Sequence, residues 1–190
     1  MKKLTHTYQL PIAPDLVLRE VTINDAPAIY TLIDSYRAYL REWLPFIDFS
    51  RSVKDNEAYL KSVTSEDNVT DQVFAIVYLE RLVGIIAYKT IDLLNRKLEI
   101  GYWLGEPYQG KGIMRRCCSA LMQHAFENMG INRIQIKVGE GNFKSSNIPK
   151  NLGFTIEGIE REGEFLNGRF LDLEIYSLLK TEWEAHRRQS

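Results

Sequence analysis

The sequence predicts a mixed α/β (α+β) fold, one sheet flanked by helices, in a single domain over residues 1–190. Three observations predict it. Short apolar runs bracket two turn signals, Glu80-Arg81 and Asn167-Gly168, as hairpins do. Helical segments with recognisable starts and stops lie between the strand-like runs. Finally, 190 residues with 45% hydrophobic and 26% charged side chains can bury one real core without needing a second.

The elements follow in order. Leu16 to Val21 alternates as a strand, and Asn24 or Asp25 can cap a helix from Ala26 to Leu40. Ser52 can cap a second helix over Val53 to Thr64. Val73 to Tyr78 and Leu82 to Thr90 form the first hairpin, and Lys97 to Leu104 is the next strand. A helix from about Gly110 to Asn128 stops at Met129-Gly130, where glycine can adopt the left-handed cap. Ile134 to Val138 is a strand and Ser145 to Leu152 a short helix. Phe154 to Arg161 and Phe170 to Leu179 pair as the last hairpin.

Bulk properties exclude several function classes. A formal net charge of −1 with no long basic tract gives no reason to expect direct nucleic-acid binding. No run of 18 apolar residues could span a membrane, and MKKLTHTYQLPIAPD lacks the apolar core of a signal peptide, so the cytoplasm is expected. No metal is expected either. His6, His124 and His186 lie far apart, and Cys117-Cys118 belongs to no ligand-spaced cluster. The two thiols read as small helix hydrophobes, the other reading being a nucleophile that forms a covalent intermediate.

The most informative segment is LEIGYWLGEPYQGKGIMRR, Leu98 to Arg116. A strand runs into a glycine-containing loop and then into a helix whose first turn is basic. Free amides and the helix dipole favour an anion there, and Gly110 and Gly112 let a phosphate approach the backbone. Lys111, Arg115 and Arg116 add full charge. A Walker A loop is disfavoured because Gly112 stands where a magnesium-binding hydroxyl is needed, and a dinucleotide fingerprint because Arg115 replaces its third glycine. The remaining pattern is Q-x-x-G-x-(G/A), here Gln109, Gly112 and Met114, with Met114 in place of a small residue. A second block, NFKSSNIPKNLGF from Asn142 to Phe154, follows the strand-like IQIKV. Two more are Arg161 to Asp172, which reads R-x-x-x-L-N-G-x-x-x-D, and Glu42-Trp43-Leu44-Pro45.

Together these blocks resemble the GNAT superfamily of N-acetyltransferases, and within it the Rim-type branch that acetylates ribosomal-protein N-termini. The resemblance implies a central, mostly antiparallel sheet with strands four and five, here 97–104 and 134–138, splayed around the pantetheine arm of acetyl-CoA. It implies that Tyr102, Trp103, Leu104, Gln109, Gly110, Lys111, Gly112, Ile113, Met114, Arg115 and Asn142 hold that cosubstrate. Many members carry a tyrosine acid four residues before the glycine of the G-F pair, where this chain has Pro149. Ser145 is the expected substitute, either as helix cap and acid together or as a cap alone. Glu99, on the cofactor strand, is the expected general base, its other reading being an ion-paired strand carboxylate. Tyr36, Tyr39, Trp43, Phe46, Phe49, Tyr102 and Trp103 line an acceptor groove or pack in the core. Glu157, Glu160, Glu162, Glu164, Asp172 and Glu174 either face that groove or form a solvated hairpin. The expected acceptor is a protein N-terminus, such as that of a ribosomal protein. The alternatives are a small amine (polyamine, amino acid or aminoglycoside) and a non-catalytic acyl-CoA sensor. A homodimer is compatible with all three.

Overall fold

The computed structural model describes residues 8–189. Eight strands form one sheet in the order β1-β2-β3-β4-β5-β6-β8-β7. They are β1 (Gln9–Ala13), β2 (Leu16–Glu20), β3 (Gln72–Tyr78), β4 (Arg81–Asp92), β5 (Lys97–Leu104), β6 (Arg133–Gly139), β7 (Thr155–Leu166) and β8 (Arg169–Leu179). Every neighbouring pair is antiparallel except β5 and β6. The helices are α1 (Ala26–Ser35), α2 (Arg37–Arg41), α3 (Val53–Val63), α4 (Ile113–Asn128), α5 (Phe143–Asn151) and α6 (Lys180–Gln189).

The central strands read as continuous apolar runs because helices cover both faces of the sheet. Along β3 and β4, Phe74, Ile76, Ile86 and Tyr88 point to the α4 side, and Val73, Ala75, Ile85 and Ala87 to the side of α1 and α3. The helix α4 buries Ile113, Met114, Cys117, Cys118, Leu121, Met122, Ala125 and Phe126 on one stripe. Full burial of side chains such as Leu121 and Phe126 contributes about 1.5–3 kcal/mol each. Tyr88 is fully buried there, and its hydroxyl donates to the Leu121 carbonyl at 2.7 Å.

Five local features differ from expectation. The strand β1 lies at the sheet edge, where Pro11 does not break a ladder. The first helix stops at Ser35, because Tyr36 leaves helical geometry (φ −126°, ψ 26°) and α2 restarts after it. Thr31 and Ser35 bond back to carbonyls in the preceding turn, which competes with a straight helix. The Asp25 carboxylate turns back to the Thr22 amide and Arg19 instead of capping α1. The first hairpin turns at Leu79-Glu80, both left-handed (φ 49° and 63°), one residue earlier than Glu80-Arg81. The other hairpin turns at Asn167-Gly168 as expected, with both residues at positive φ. The helix α6 was not expected. Glu182 accepts from the Leu179 amide at its start, and Trp183 packs on Phe126 with ring centroids 5.2 Å apart.

Candidate active site

The strands β5 and β6 touch through only three residue pairs, Lys97–Arg133, Leu98–Ile134 and Glu99–Gln135. Beyond Glu99 they diverge, so Ile100 to Leu104 has strand β4 on one edge and no strand on the other. A cavity of about 670 Å³ occupies the divergence, walled by α2, the 105–112 loop, the start of α4 and α5. All the residues expected to hold the cosubstrate line it except Lys111, whose ammonium lies over the Tyr108 ring at 5.6 Å.

The loop after β5 ends in two left-handed glycines, Gly110 (φ 71°) and Gly112 (φ 69°). Gly112 is the N-cap of α4 and no side chain caps it; the first intrahelical bond runs from the Arg116 amide to the Gly112 carbonyl. The Ile113, Met114 and Arg115 amides therefore have no helical acceptor and can hold an anion. Met114, the larger residue at that motif position, is buried in the core cluster while bordering the cavity. Gln109 donates to the Tyr39 hydroxyl, and Lys144 lies over the Tyr39 ring at 5.5 Å, so this tyrosine ties α2 to both the loop and α5.

The helix α5 begins at Phe143, two residues before the expected start. Its cap is Asn142, whose side-chain oxygen accepts from the Ser145 amide at 3.1 Å. Ser145 is thus the capped residue and not the cap, and its hydroxyl is free for other work. It points toward the Tyr102 hydroxyl at 3.4 Å. Asn142→Ala should therefore lower stability by about 1 kcal/mol, the usual worth of an N-cap, measurable by chemical denaturation. Ser145→Ala should cost less.

Glu99 accepts from Lys89, its direct cross-strand neighbour, at 3.0 Å. Beside this pair stands Glu164, on β7. Burial and the Glu99 charge raise its carboxyl above the usual range, against the opposing pull of Lys89. Glu164 pairs in register with Leu171, whose methyl lies against the same face of Gly139 as the Trp43 ring. It therefore shares the sheet face that Trp43 covers, and Trp43 lines the cavity. Four of the other five acids are engaged elsewhere. Glu157 pairs with Arg133, which holds it down at about 2, and Glu160 pairs with Lys137. Asp172 accepts from the Glu162 amide and Glu174 from the Tyr176 hydroxyl. Of the aromatic set, Tyr39, Trp43, Tyr102 and Trp103 line the cavity; Tyr36 packs against the α1 and α3 core, Phe46 leans on Trp103, and Phe49 is exposed.

Cys117 and Cys118 are fully buried. Burial pushes the Cys117 thiol up to about 12 and Cys118 well above its ordinary value, so neither is a thiolate at neutral pH. His124 packs beside Tyr88, His186 lies on α6, and His6 falls outside the described residues. Among the described residues no three His, Cys, Asp or Glu side chains converge on a metal position, and no helix is long and apolar enough to cross a membrane.

The acetyltransferase (GNAT) domain family matches residues 15–155. The chain is 33% identical over 177 residues to YdaF of Bacillus subtilis (strain 168), covering 90% of this chain and 95% of that protein. It is 30% identical to the ribosomal-protein-serine acetyltransferase of Escherichia coli (strain K12), covering 90% and 96%. Its fold superposes on RimL, the ribosomal L7/L12 alpha-N-protein acetyltransferase in complex with coenzyme A, with a TM-score of 0.86 at 26% identity, covering 90% and 98%. A glycine loop opening a long helix, a sheet parted at β5 and β6, and a family match across most of the chain agree: this protein belongs to the GNAT acetyltransferases and is an N-acetyltransferase that uses acetyl-CoA.

Proposed function

We propose that the chain transfers acetyl from acetyl-CoA directly to the N-terminal α-amine of a protein, of the ribosomal-protein class. The observation that supports the chemistry is the parted sheet: the free edge of β5, the start of α4 and Ser145 border one cavity, and half-buried Glu164 shares the sheet face that Trp43, a cavity residue, covers. The acceptor assignment is supported by likeness along 90% of the chain to the ribosomal-protein-serine acetyltransferase.

In this reading the amides from Gln109 to Arg115 hold the pyrophosphate, and the free edge of Tyr102, Trp103 and Leu104 holds the pantetheine arm. Asn142 fixes the start of α5 beside the thioester. Attack requires a neutral amine, so a base must first take a proton from the ammonium. Glu164 is that base, because burial raises its basicity, whereas the Glu99 carboxylate is engaged by Lys89; that pair sets the charge around Glu164. Backbone N–H groups of the β5 edge stabilise the oxyanion. The C–S bond then breaks with its electron pair on sulfur, and the Ser145 hydroxyl hydrogen-bonds the thiolate. With both cysteine thiols buried and protonated, no acetyl-enzyme forms.

The test is CoA-thiol release with a panel of acceptors: short peptides with a free N-terminal serine, the same peptides N-terminally blocked, spermidine, free amino acids and an aminoglycoside. The free peptides should show the highest kcat/KM and the blocked peptides none. A higher kcat/KM for spermidine or the aminoglycoside would move the acceptor to the small-amine class.

A further inference from the structure

Pro149 affects this site in two ways. It stands where many relatives carry their tyrosine acid, and it has no N–H, so the helical bond that residue 149 would send to the Ser145 carbonyl is missing. That carbonyl does not stay idle. The Tyr102 hydroxyl crosses from β5 and donates to it at 3.1 Å, while the Ser145 hydroxyl donates to the Tyr102 oxygen at 3.4 Å. Tyr102 lies three residues past the last β5–β6 pair, so the contact bridges the open part of the sheet. Both residues line the cavity.

We propose that Tyr102 is a positioning residue for acetyl transfer: anchored on the carbonyl that Pro149 leaves free, it holds the Ser145 hydroxyl aimed into the cavity, ready for the departing sulfur. The inference rests on the acyl-transfer reading above. Because the Tyr102 hydrogen is committed to the carbonyl, its oxygen can only accept, which fixes the direction of the Ser145 O–H. The serine bond is long and therefore weak, so its hydrogen swings readily to a charged acceptor. Burial raises the Tyr102 phenol far above its ordinary value, so it keeps its hydrogen at every working pH. No proton crosses the pair. The amine nitrogen forms its bond to the acetyl carbon and releases its second proton to solvent, the C–S pair goes to sulfur, the serine O–H turns from the tyrosine oxygen to the thiolate, and solvent protonates the thiolate on release. Without the Tyr102 oxygen, nothing fixes the direction of the serine O–H.

The test is a double-mutant cycle on the full chain with acetyl-CoA and the best acceptor of the panel. Ser145→Ala should lower kcat by about 10- to 100-fold, and Tyr102→Phe by about 5-fold or more, each with the KM for acetyl-CoA changed less than about twofold. The double variant should fall no further than Ser145→Ala alone. Losses that multiply, or a lowered Tm with unchanged kcat in Tyr102→Phe, would overturn the proposal. A second readout needs no turnover. With ¹³Cζ-labelled tyrosine, the Tyr102 resonance, assigned by its loss in Tyr102→Phe, should move at least twice as far when CoA binds the wild type as when it binds Ser145→Ala, where only direct contact with the arm remains. Equal movement in the two proteins, or no movement in either, overturns the pairing. If no acceptor releases CoA yet the resonance responds as expected, the pairing stands and the acyl-transfer reading fails.

Discussion

Glu164→Gln is expected to lower kcat by about 100-fold or more, because a positioned general base is worth at least that much. The same substitution should make the protein more stable at neutral pH. Glu164 has its pKa raised in the folded state, chiefly by burial. Its contribution to stability is then fully present below its unfolded pKa of about 4.3 and is lost as pH rises through the higher folded value. At pH 7 the wild type holds an ionised carboxylate in surroundings that disfavour it, and glutamine relieves this. The Tm advantage of the variant should shrink to nothing below about pH 4. Opposite signs in turnover and stability separate a base from a structural carboxylate. A variant with wild-type kcat would return the role of base to Glu99 or to water. Against wild type, kcat/KM should rise with pH through a carboxylate step above the ordinary range, and that step should vanish in Glu164→Gln.

Gly112→Val should raise the dissociation constant for CoA by about 10-fold or more, read by calorimetry. Gly112 sits at φ 69°, a conformation that a β-branched residue takes only with strain. A Cβ there would meet no protein atom within 4 Å, so any side chain grows into the space that a phosphate would use. Gly112→Asn separates the two causes, since asparagine tolerates the left-handed region. If phosphate approach matters, asparagine also weakens binding; if only the backbone matters, it is nearly neutral. Unchanged affinity in the valine variant would remove the loop from the cofactor site.

What could be read from the sequence follows from the range of the forces involved. Asn167-Gly168 announces its turn because the φ values that a two-residue hairpin needs are a property of those two residues. The glycine loop is legible for the same reason, and β3 and β4 are legible because burial on both faces writes an unbroken apolar run. The turn at Leu79-Glu80 is illegible, as neither residue favours positive φ and strand pairing imposes it. Asn142 and Ser145 both have cap chemistry, and only the helix's actual start distinguishes cap from capped. The six acids of the last hairpin look alike in sequence. Arg133 and Lys137 neutralise two of them from a distant strand, and desolvation singles out Glu164. Such differences are made by tertiary neighbours, and no local pattern carries them.

The three residue pairs that join β5 to β6 have a mechanical consequence. The sheet is two ribbons, β1 to β5 and β6 with β8 and β7, fastened by a short clasp at one end. The helix α4 is their common backing plate, packing on Leu98 and Ile100 of one ribbon and Ile134, Ile136 and Tyr176 of the other. On the binding mode proposed above, an extended amide-bearing arm along the free edge of β5 would act as a temporary ninth strand, closing with its own bonds the seam that the chain leaves open. Saturation at 100 times the dissociation constant adds about 2.7 kcal/mol to stability by mass action, so the protein is stiffest when loaded and loosest just after releasing its product.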